Sequence, residues 1–368
     1  GYFDPDLGND VFAGDYDREG FNDNETYGFT GTLNWQTDNF EIVSITDYSS
    51  VERDYIEDSD ASPVPFFNFY LSTDAEQFSQ ELRISGETDR MKWVTGFYYL
   101  NIDIADANGG ESTVFHDAFA CDPTCSNAGT FINPGEPAPF SFGGARGLDS
   151  PYTIDTESWS LFGQLEYAFN EQWTGIVGFR WIEEDKDYSY SNNGVKFIDG
   201  TRHRNGNPNI TVPFISFDTS VSDSLWSAKV ELDWRPTDDL LLYGSWNRGT
   251  KASGFNAPFI PLVTVLTGQG TLEDLIPYDP EELDAFELGF KWSFADGLAR
   301  LNGAIYYYDY SDYQAFNLVV LDAITTNRDA EMWGIDLELQ ASPMDGLDLL
   351  FGMAYNDAEI DLDGRKSR

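Results

Sequence analysis

Alternation constrains this chain more than any other feature. In "SWSLFGQLEYAF", Trp159, Leu161, Leu165, Tyr167 and Phe169 fall on one side of an extended backbone. Ser158, Ser160, Gln164 and Glu166 fall on the other, with Phe162 the exception. "SLWSAKVELDW" sets Trp226, Ala228, Val230, Leu232 and Trp234 against Ser227, Lys229, Glu231 and Asp233. "MWGIDLELQA" sets Trp333, Ile335, Leu337 and Leu339 against Gly334, Asp336, Glu338 and Gln340. Successive side chains of a strand point to opposite faces. These segments therefore read as strands with one apolar and one polar face.

About twelve such strands are expected, over 25–36, 38–52, 76–87, 91–104, 155–170, 173–190, 221–235, 239–250, 281–294, 298–312, 331–342 and 346–358. Sandwich strands usually run about 5–6 residues, and these are roughly twice that. A propeller would show a blade motif at a fixed period, and none is found. Long strands suit a tilted crossing of an apolar band about 25 Å tall. The turns "QTDN", "ETDR", "FNEQ", "RPTDD", "FADG" and "SPMDG" are short and rich in Asp, Asn, Gly or Pro. Between them lie long loops at 53–75, 105–154, 191–220, 251–280 and 313–330. Short turns at one end and long loops at the other mark an outer-membrane barrel. The expected fold is all-β: an antiparallel transmembrane β-barrel segment with long extracellular loops and short periplasmic turns. Aromatics near strand ends, such as Tyr98, Tyr99, Trp173, Trp292, Phe294 and Tyr306 to Tyr308, fit interfacial girdles.

Composition narrows the function. Lys and Arg number 21 against 64 Asp and Glu, a net charge of −43, which excludes a non-specific nucleic-acid binder. Aromatics at 16% and hydrophobics at 41% argue against disorder. No apolar run approaches the ~18 residues of a transmembrane helix. The acidic runs solvate loops; divalent-cation binding is the competing use, because Asp and Asn supply the oxygens calcium prefers. No run matches an EF-hand, so no metal is assigned, and no cofactor is expected. The only histidines, His116 and His203, lie in loops, and no nucleophile–base spacing or phosphate-cradling glycine loop occurs. No enzyme is expected. Cys121 and Cys125, in "CDPTCSNAG", read as a small local loop disulfide, which implies an oxidising compartment. Zinc would need about four ligands, with His116 the one histidine nearby. Gly1 opens no signal peptide and "GRKSR" closes like a loop; the chain reads as an internal piece of a longer protein.

"WNRGTKASGFN" resembles a barrel segment of the TonB-dependent receptor family, with Thr250 where Phe is common and Ser253 where Gly is common. "YDPEELDAFELGFKWSFADGLARLNGAIYYYDYSDYQAF" resembles the same family most closely, "NRDAEMWGIDLELQASPMDGLDL" resembles its next hairpin, and "FSQELRIS" an earlier strand. The resemblance covers about 25 to 358. It implies a 22-stranded barrel with a plugged lumen, located in the outer membrane of a Gram-negative bacterium. Residues 1–368 then form part of one barrel domain, about 12 of its strands. The N-terminal plug, which meets TonB, and the C-terminal strands lie outside the chain. The implied function is energy-coupled uptake of a scarce nutrient such as an iron–siderophore complex; cobalamin and oligosaccharide are the other ligand classes. A passive porin or a surface adhesin remains the alternative. Expected partners are outer-membrane lipid, lipopolysaccharide, the nutrient ligand and TonB.

Ligand would arrive from the long-loop side. The candidates there are Arg248, Lys251, Phe255 and Asn256, with the loop aromatics Phe66, Phe67, Phe69 and Tyr70. Phe66 to Tyr70 reads as an exposed apolar patch, which often marks binding, or as a loop packed on its own barrel. Arg248 and Lys251 read either as charge balance or as recognition of an acidic ligand. Gly249 and Gly254 are expected to let the chain change direction sharply after β-structure. Lys229, Glu231, Arg235, Glu287, Lys291 and Glu338 are expected to face the lumen.

Overall fold

The computed structural model describes residues 14–63, 67–111, 147–201, 208–257, 271–272, 276–319, 322–362 and 365–367. Twelve long strands carry the fold: β1 Phe21–Gln36, β2 Glu41–Asp58, β3 Asn68–Glu87, β4 Met91–Glu111, β5 Gly147–Ala168, β6 Trp173–Val195, β7 Ile210–Thr237, β8 Leu240–Lys251, β11 Glu281–Phe294, β12 Ala299–Val319, β13 Asp322–Met344 and β14 Leu347–Leu362. Three short pieces join them: β9 Gly254–Phe255, β10 Pro277–Tyr278 and β15 Arg365–Ser367. Every pairing is antiparallel between sequence neighbours, except that β8 pairs with β11 and leaves β9 and β10 as a separate two-stranded sheet. Among the described residues the order is linear and the sheet does not close, β1 pairing with β2 alone.

The register settles which side chains share a face. Trp181 stands opposite Trp226, Val177 opposite Val230, and Trp173 opposite Trp234. Across β8 and β11, Val230 aligns with Trp246 and Phe286. Phe286 then aligns with Tyr307, Trp333 and Asp357. This face leaves large apolar groups in the open: Phe29 is 70% exposed, Leu33 69% and Leu288 65%. Water would not tolerate so continuous an apolar surface on a monomer; lipid would. Aromatic pairs bound it. Trp173 stacks on Trp234 at 5.5 Å near the short turns. Tyr27 meets Tyr48 at 6.2 Å, and Phe179 meets Trp226 at 6.2 Å, toward the other end. Trp173 and Trp181 lie eight positions apart, as do Trp226 and Trp234, about 27 Å along a strand.

The opposite face is polar and bonded to itself. Lys229 pairs with Glu231 at 2.9 Å, Arg235 with Asp233 at 3.1 Å, and Lys186 with Glu184 at 2.7 Å. Tyr243 donates to Glu287 at 2.6 Å, and Lys291 lies 5.8 Å from the Tyr243 ring. The six expected lumen-facing residues all take this face by register.

Beyond the upper aromatic ring the outward positions turn acidic. Asp103, Asp155 and Asp187 are successive register partners. So are Asp284, Asp309, Glu331 and Glu359. Directly opposed like charges weaken a sheet in isolation, so these positions have to sit in water.

Several strands outrun the alternation. β3 starts at Asn68, β4 runs to Glu111, β5 starts at Gly147 and β7 at Ile210. The stretch 313–330, expected as a long loop, is a hairpin of β12 and β13 apart from 320–321. Above the apolar band neither face meets lipid, so alternation fades while backbone pairing continues. A bulge between Tyr310 and Tyr313 in β12 adjusts the register there, with Asp312 at φ 56°.

The face assignment predicts an asymmetry. Val230→Arg, on the apolar face, should cost about 2–4 kcal/mol in a bilayer. Ser245→Arg, opposite Glu231 and Glu287, should stay within about 0.5 kcal/mol. Urea unfolding of the full-length protein in phospholipid vesicles reads both, and equal losses would refute the assignment.

Candidate functional site

The mouth on the long-loop side is shaped by the chain that leaves β8. The strand passes straight through Gly249 to Lys251, so the expected bend is not there. The turn comes after it, at Ala252 and Ser253. Ser253 N donates to Asp223 Oδ2 at 2.9 Å and its hydroxyl to the same oxygen at 2.5 Å. Lys186 Nζ donates to Ser253 O at 2.6 Å. Gly254 and Phe255 then pair with Tyr278 and Pro277. A side chain at Gly254 would fall on the Tyr278 ring and hydroxyl, so glycine serves close approach here. Burial pushes the Tyr278 hydroxyl pKa up.

Phe255 lies on the polar, inward face. Its ring stacks on Tyr188 at 4.6 Å, inside a cluster with Tyr190 and Ile276. Tyr152, Ile154, Phe217, Val221 and Leu272 pack around it. Asn256 mimics a strand partner: its Nδ2 donates to Thr325 O at 2.9 Å and its Oδ1 accepts from Thr325 N at 2.8 Å. Its backbone N donates to Ile276 O at 2.7 Å, and Tyr188 Oη donates to its O at 3.1 Å. Gln314 Nε2 donates to Ala252 O at 2.9 Å. Asn327 holds Asp279 from both sides, at 2.8 Å and 2.9 Å. The segment 252–257 thus crosses the inward face, tied to β6 and β7 on one side and to β12 and β13 on the other.

The candidate residues therefore do not converge. Phe255 and Asn256 are buried and committed to this crossing. Lys251 is exposed at the top of the inward face, opposite Glu281 in register. Arg248 takes the outward face. It lies 4.4 Å from the Trp226 ring and pairs with Asp284 at 3.1 Å and with Glu282. Trp246 donates to the same Asp284 at 2.8 Å. Tyr70 is also turned to the outward side, above the apolar band. It is 4% exposed, packed with Ile56, Val195 and Ile198, and hydrogen-bonded to Asp149. Phe67 and Phe69 are half-buried. The expected exposed aromatic patch is thus largely packed into the wall. Phe66, Cys121 and Cys125 lie outside the described residues.

Sequence reasoning missed the aromatic wall of Tyr152, Tyr188 and Tyr190. The signal was present: in "DYSYSNN" the tyrosines alternate on the polar parity of β6, where soluble lining is expected. On that inward side Tyr152 donates to Asp106 at 2.7 Å. A recess of about 520 Å³ lies mainly on the outward side of the same wall, lined by Tyr70, Ala105, Asp149, Thr153, Ser189 and Asp218 among others.

A twelve-strand wall with an apolar outer face, aromatic girdles and an inward crossing segment is the wall of a large outer-membrane-type β-barrel. The chain belongs to the TonB-dependent receptor family: the model for "TonB dependent receptor-like, beta-barrel" matches residues 1–367. It is 22% identical over 356 residues to a protein named "Probable TonB-dependent siderophore receptor PiuA" from Acinetobacter baumannii, covering 90% of this chain and 44% of that protein. The chain thus spans less than half the length of this relative. Its fold is similar to the ferric yersiniabactin uptake receptor FyuA from Yersinia pestis, with TM-score 0.65, 16% identity, and coverage of 92% of this chain and 43% of that one. It is also similar to the solved PiuA of Acinetobacter baumannii, with TM-score 0.58, 16% identity, and coverage of 96% and 50%.

The crossing predicts a local, not global, response to mutation. Asn256→Ala leaves both Thr325 backbone groups unpaired, at about 1–3 kcal/mol. Phe255→Ala empties the tyrosine stack. Limited proteolysis of the full-length receptor in detergent should cut 252–280 about five- to a hundredfold faster in either variant, since 1.4 kcal/mol is tenfold. The long strands should stay uncut. Unchanged cleavage would show that the crossing is held by something else.

Proposed function

We propose that this chain is the central barrel wall of an outer-membrane TonB-dependent receptor that takes up a scarce nutrient by energy-coupled transport, an iron–siderophore complex being the favoured cargo. The observation that carries this is the receptor-family match along the wall that holds the two-faced sheet. Relatives named for siderophore, ferric yersiniabactin and ferric citrate uptake support iron chelates over cobalamin or oligosaccharide. On this reading the remaining strands and an N-terminal plug, which meets TonB, lie outside residues 1–368. The outer face contacts lipid and lipopolysaccharide of a Gram-negative outer membrane. The wall itself does no chemistry.

On the same reading, ligand meets the inward side of the mouth, near Lys251 and the crossing segment with Phe255 and Asn256. Lys251 is the exposed cation among the candidates and suits a chelate carrying carboxylates. Arg248 and Tyr70, turned outward, support that mouth from behind.

Uptake tests the reading. A strain lacking the gene should lose radiolabelled iron uptake from at least one defined chelate, and the full-length gene should restore it. Lys251→Glu should weaken half-saturation about tenfold, the scale of one charge-assisted hydrogen bond. A deletion with undiminished uptake of iron chelates, cobalamin and oligosaccharides would sink the transport reading. A large, constitutive conductance in planar bilayers would favour a porin instead.

A further inference from the structure

Where the outward positions of β11 to β14 turn acidic, the inward positions turn apolar. Leu283, Tyr310, Ala330 and Ile360 are successive inward partners on one side of the row Asp284, Asp309, Glu331 and Glu359. Ala285, Tyr308, Met332 and Ala358 are the inward partners on its other side. No charged side chain falls in either inward row. A wall that meets only water gains nothing from such a surface, and a contiguous apolar patch of this kind marks binding.

The same inversion occurs once more in the wall, and there its use is visible. On β5 to β7, Ile154, Tyr188 and Val221 point inward, while Asp155, Asp187 and Ser220 point outward. The crossing segment lays Phe255 over Tyr188 at that place. The two buried apolar clusters among the described residues, around Tyr70 and around Tyr188, include none of the residues of the β11–β14 patch.

A recess of about 470 Å³ opens on this patch, lined by Tyr310, Tyr313, Ala330, Met332, Ala358 and Ile360 among others. Its size suits a small ligand. The bulge after Tyr310 sets the Tyr313 ring edge-on to it at 5.5 Å. Tyr306 and Tyr308 follow below, with ring centroids 5.1 Å apart. Tyr306 donates to Asn356, whereas the Tyr308 and Tyr310 hydroxyls have no hydrogen-bond partner among the described residues. Lys251 stands on the same inward face, two strands across and one inward step above Tyr310, about 12 Å away by strand spacing. Nothing lies within 4 Å of where a Gly249 side chain would begin, so the space between them is open.

We propose that Tyr308, Tyr310 and Met332 receive a flat aromatic arm of the cargo, an iron chelate whose ligating oxygens are phenolate or catecholate, with its negative charge toward Lys251. A ring offers an apolar face to Met332 and Ile360 and packs edge or face against Tyr310. Its oxygens meet the two uncommitted hydroxyls. A chelate built from aliphatic carboxylates or hydroxamates has no flat apolar face and gains little from the patch. The proposal rests on the transport reading, whose mouth it shares, and names the chemical class of the iron chelate.

Equilibrium dialysis of radiolabelled iron against the full-length receptor in detergent tests the proposal, with ferric tris-catecholate, ferric citrate and ferric acetohydroxamate as the probes. Wild type should hold the catecholate about tenfold more tightly than either of the others. Tyr310→Leu keeps an apolar side chain but removes the ring, and should weaken the catecholate about tenfold, the scale of one aromatic pair with the area it buries. Tyr310→Phe, which keeps the ring, should hold it more tightly than Tyr310→Leu does. Heat-modifiable gel migration reports whether each variant keeps its barrel. Equal binding of the three probes by wild type would overturn the proposal, as would a folded Tyr310→Leu with wild-type catecholate affinity. Binding of citrate or acetohydroxamate alone would overturn it and leave iron uptake standing; binding of none of the three would count against both.

Discussion

The governing constraint is that backbone amides in hydrocarbon have no water to bond. Each must find another backbone group, and an antiparallel ladder of neighbouring strands does this with short connections. The side-chain pattern follows from it. A ladder crossing lipid presents one face to hydrocarbon and one to a polar interior, and a period of two is the only sequence pattern that supplies both. Val230 and Glu231 are adjacent in the chain, yet one meets lipid and the other pairs with Lys229 inside.

The second layer of organisation is built on the inward face above the membrane. There the ladder needs no apolar partner, and side chains are free to hold other chain segments. Asp223, Lys186 and Tyr188 from one part of the wall, and Gln314, Thr325 and Asn327 from another, receive the stretch that leaves β8. Most of these bonds join side chains to backbone. Such bonds fix the path of an irregular segment that has no ladder of its own.

This distinction explains what could be read in advance. Inside the apolar band, Trp226 to Trp234 and Trp333 to Leu339 declare their faces by alternation, and both the number of long strands and the inward set from Lys229 to Glu338 follow. Above the band the pattern carries no such information. β7 reaches back to Ile210 and β12 runs on to Val319 through residues with no two-faced composition. Arg248 was ambiguous for a related reason. Its parity with Trp246 puts it outward, but a charged residue after an apolar run invites the opposite reading. Only the register with Asp284, and the Trp226 ring beneath it, resolves the matter. Phe255 and Asn256 look like mouth residues because they follow a strand end. Their commitment to Tyr188 and Thr325 depends on partners 67 and 69 positions away, which no local pattern encodes.

The ring of outward carboxylates above the upper girdle has a mechanical meaning. To sink by one strand repeat, the wall would have to carry Asp103, Asp155, Asp187 and their counterparts from Asp284 to Glu359 below the headgroups. Each would be stripped of water with a like charge beside it in register, a cost that rises steeply with depth. Rising would lift the lower tryptophans, Trp173 and Trp234, off their own interface into hydrocarbon. The wall therefore rides at one height. Charge serves as a collar and stacked indoles as a keel, and the strand tips above the collar are held at a constant distance from the membrane surface.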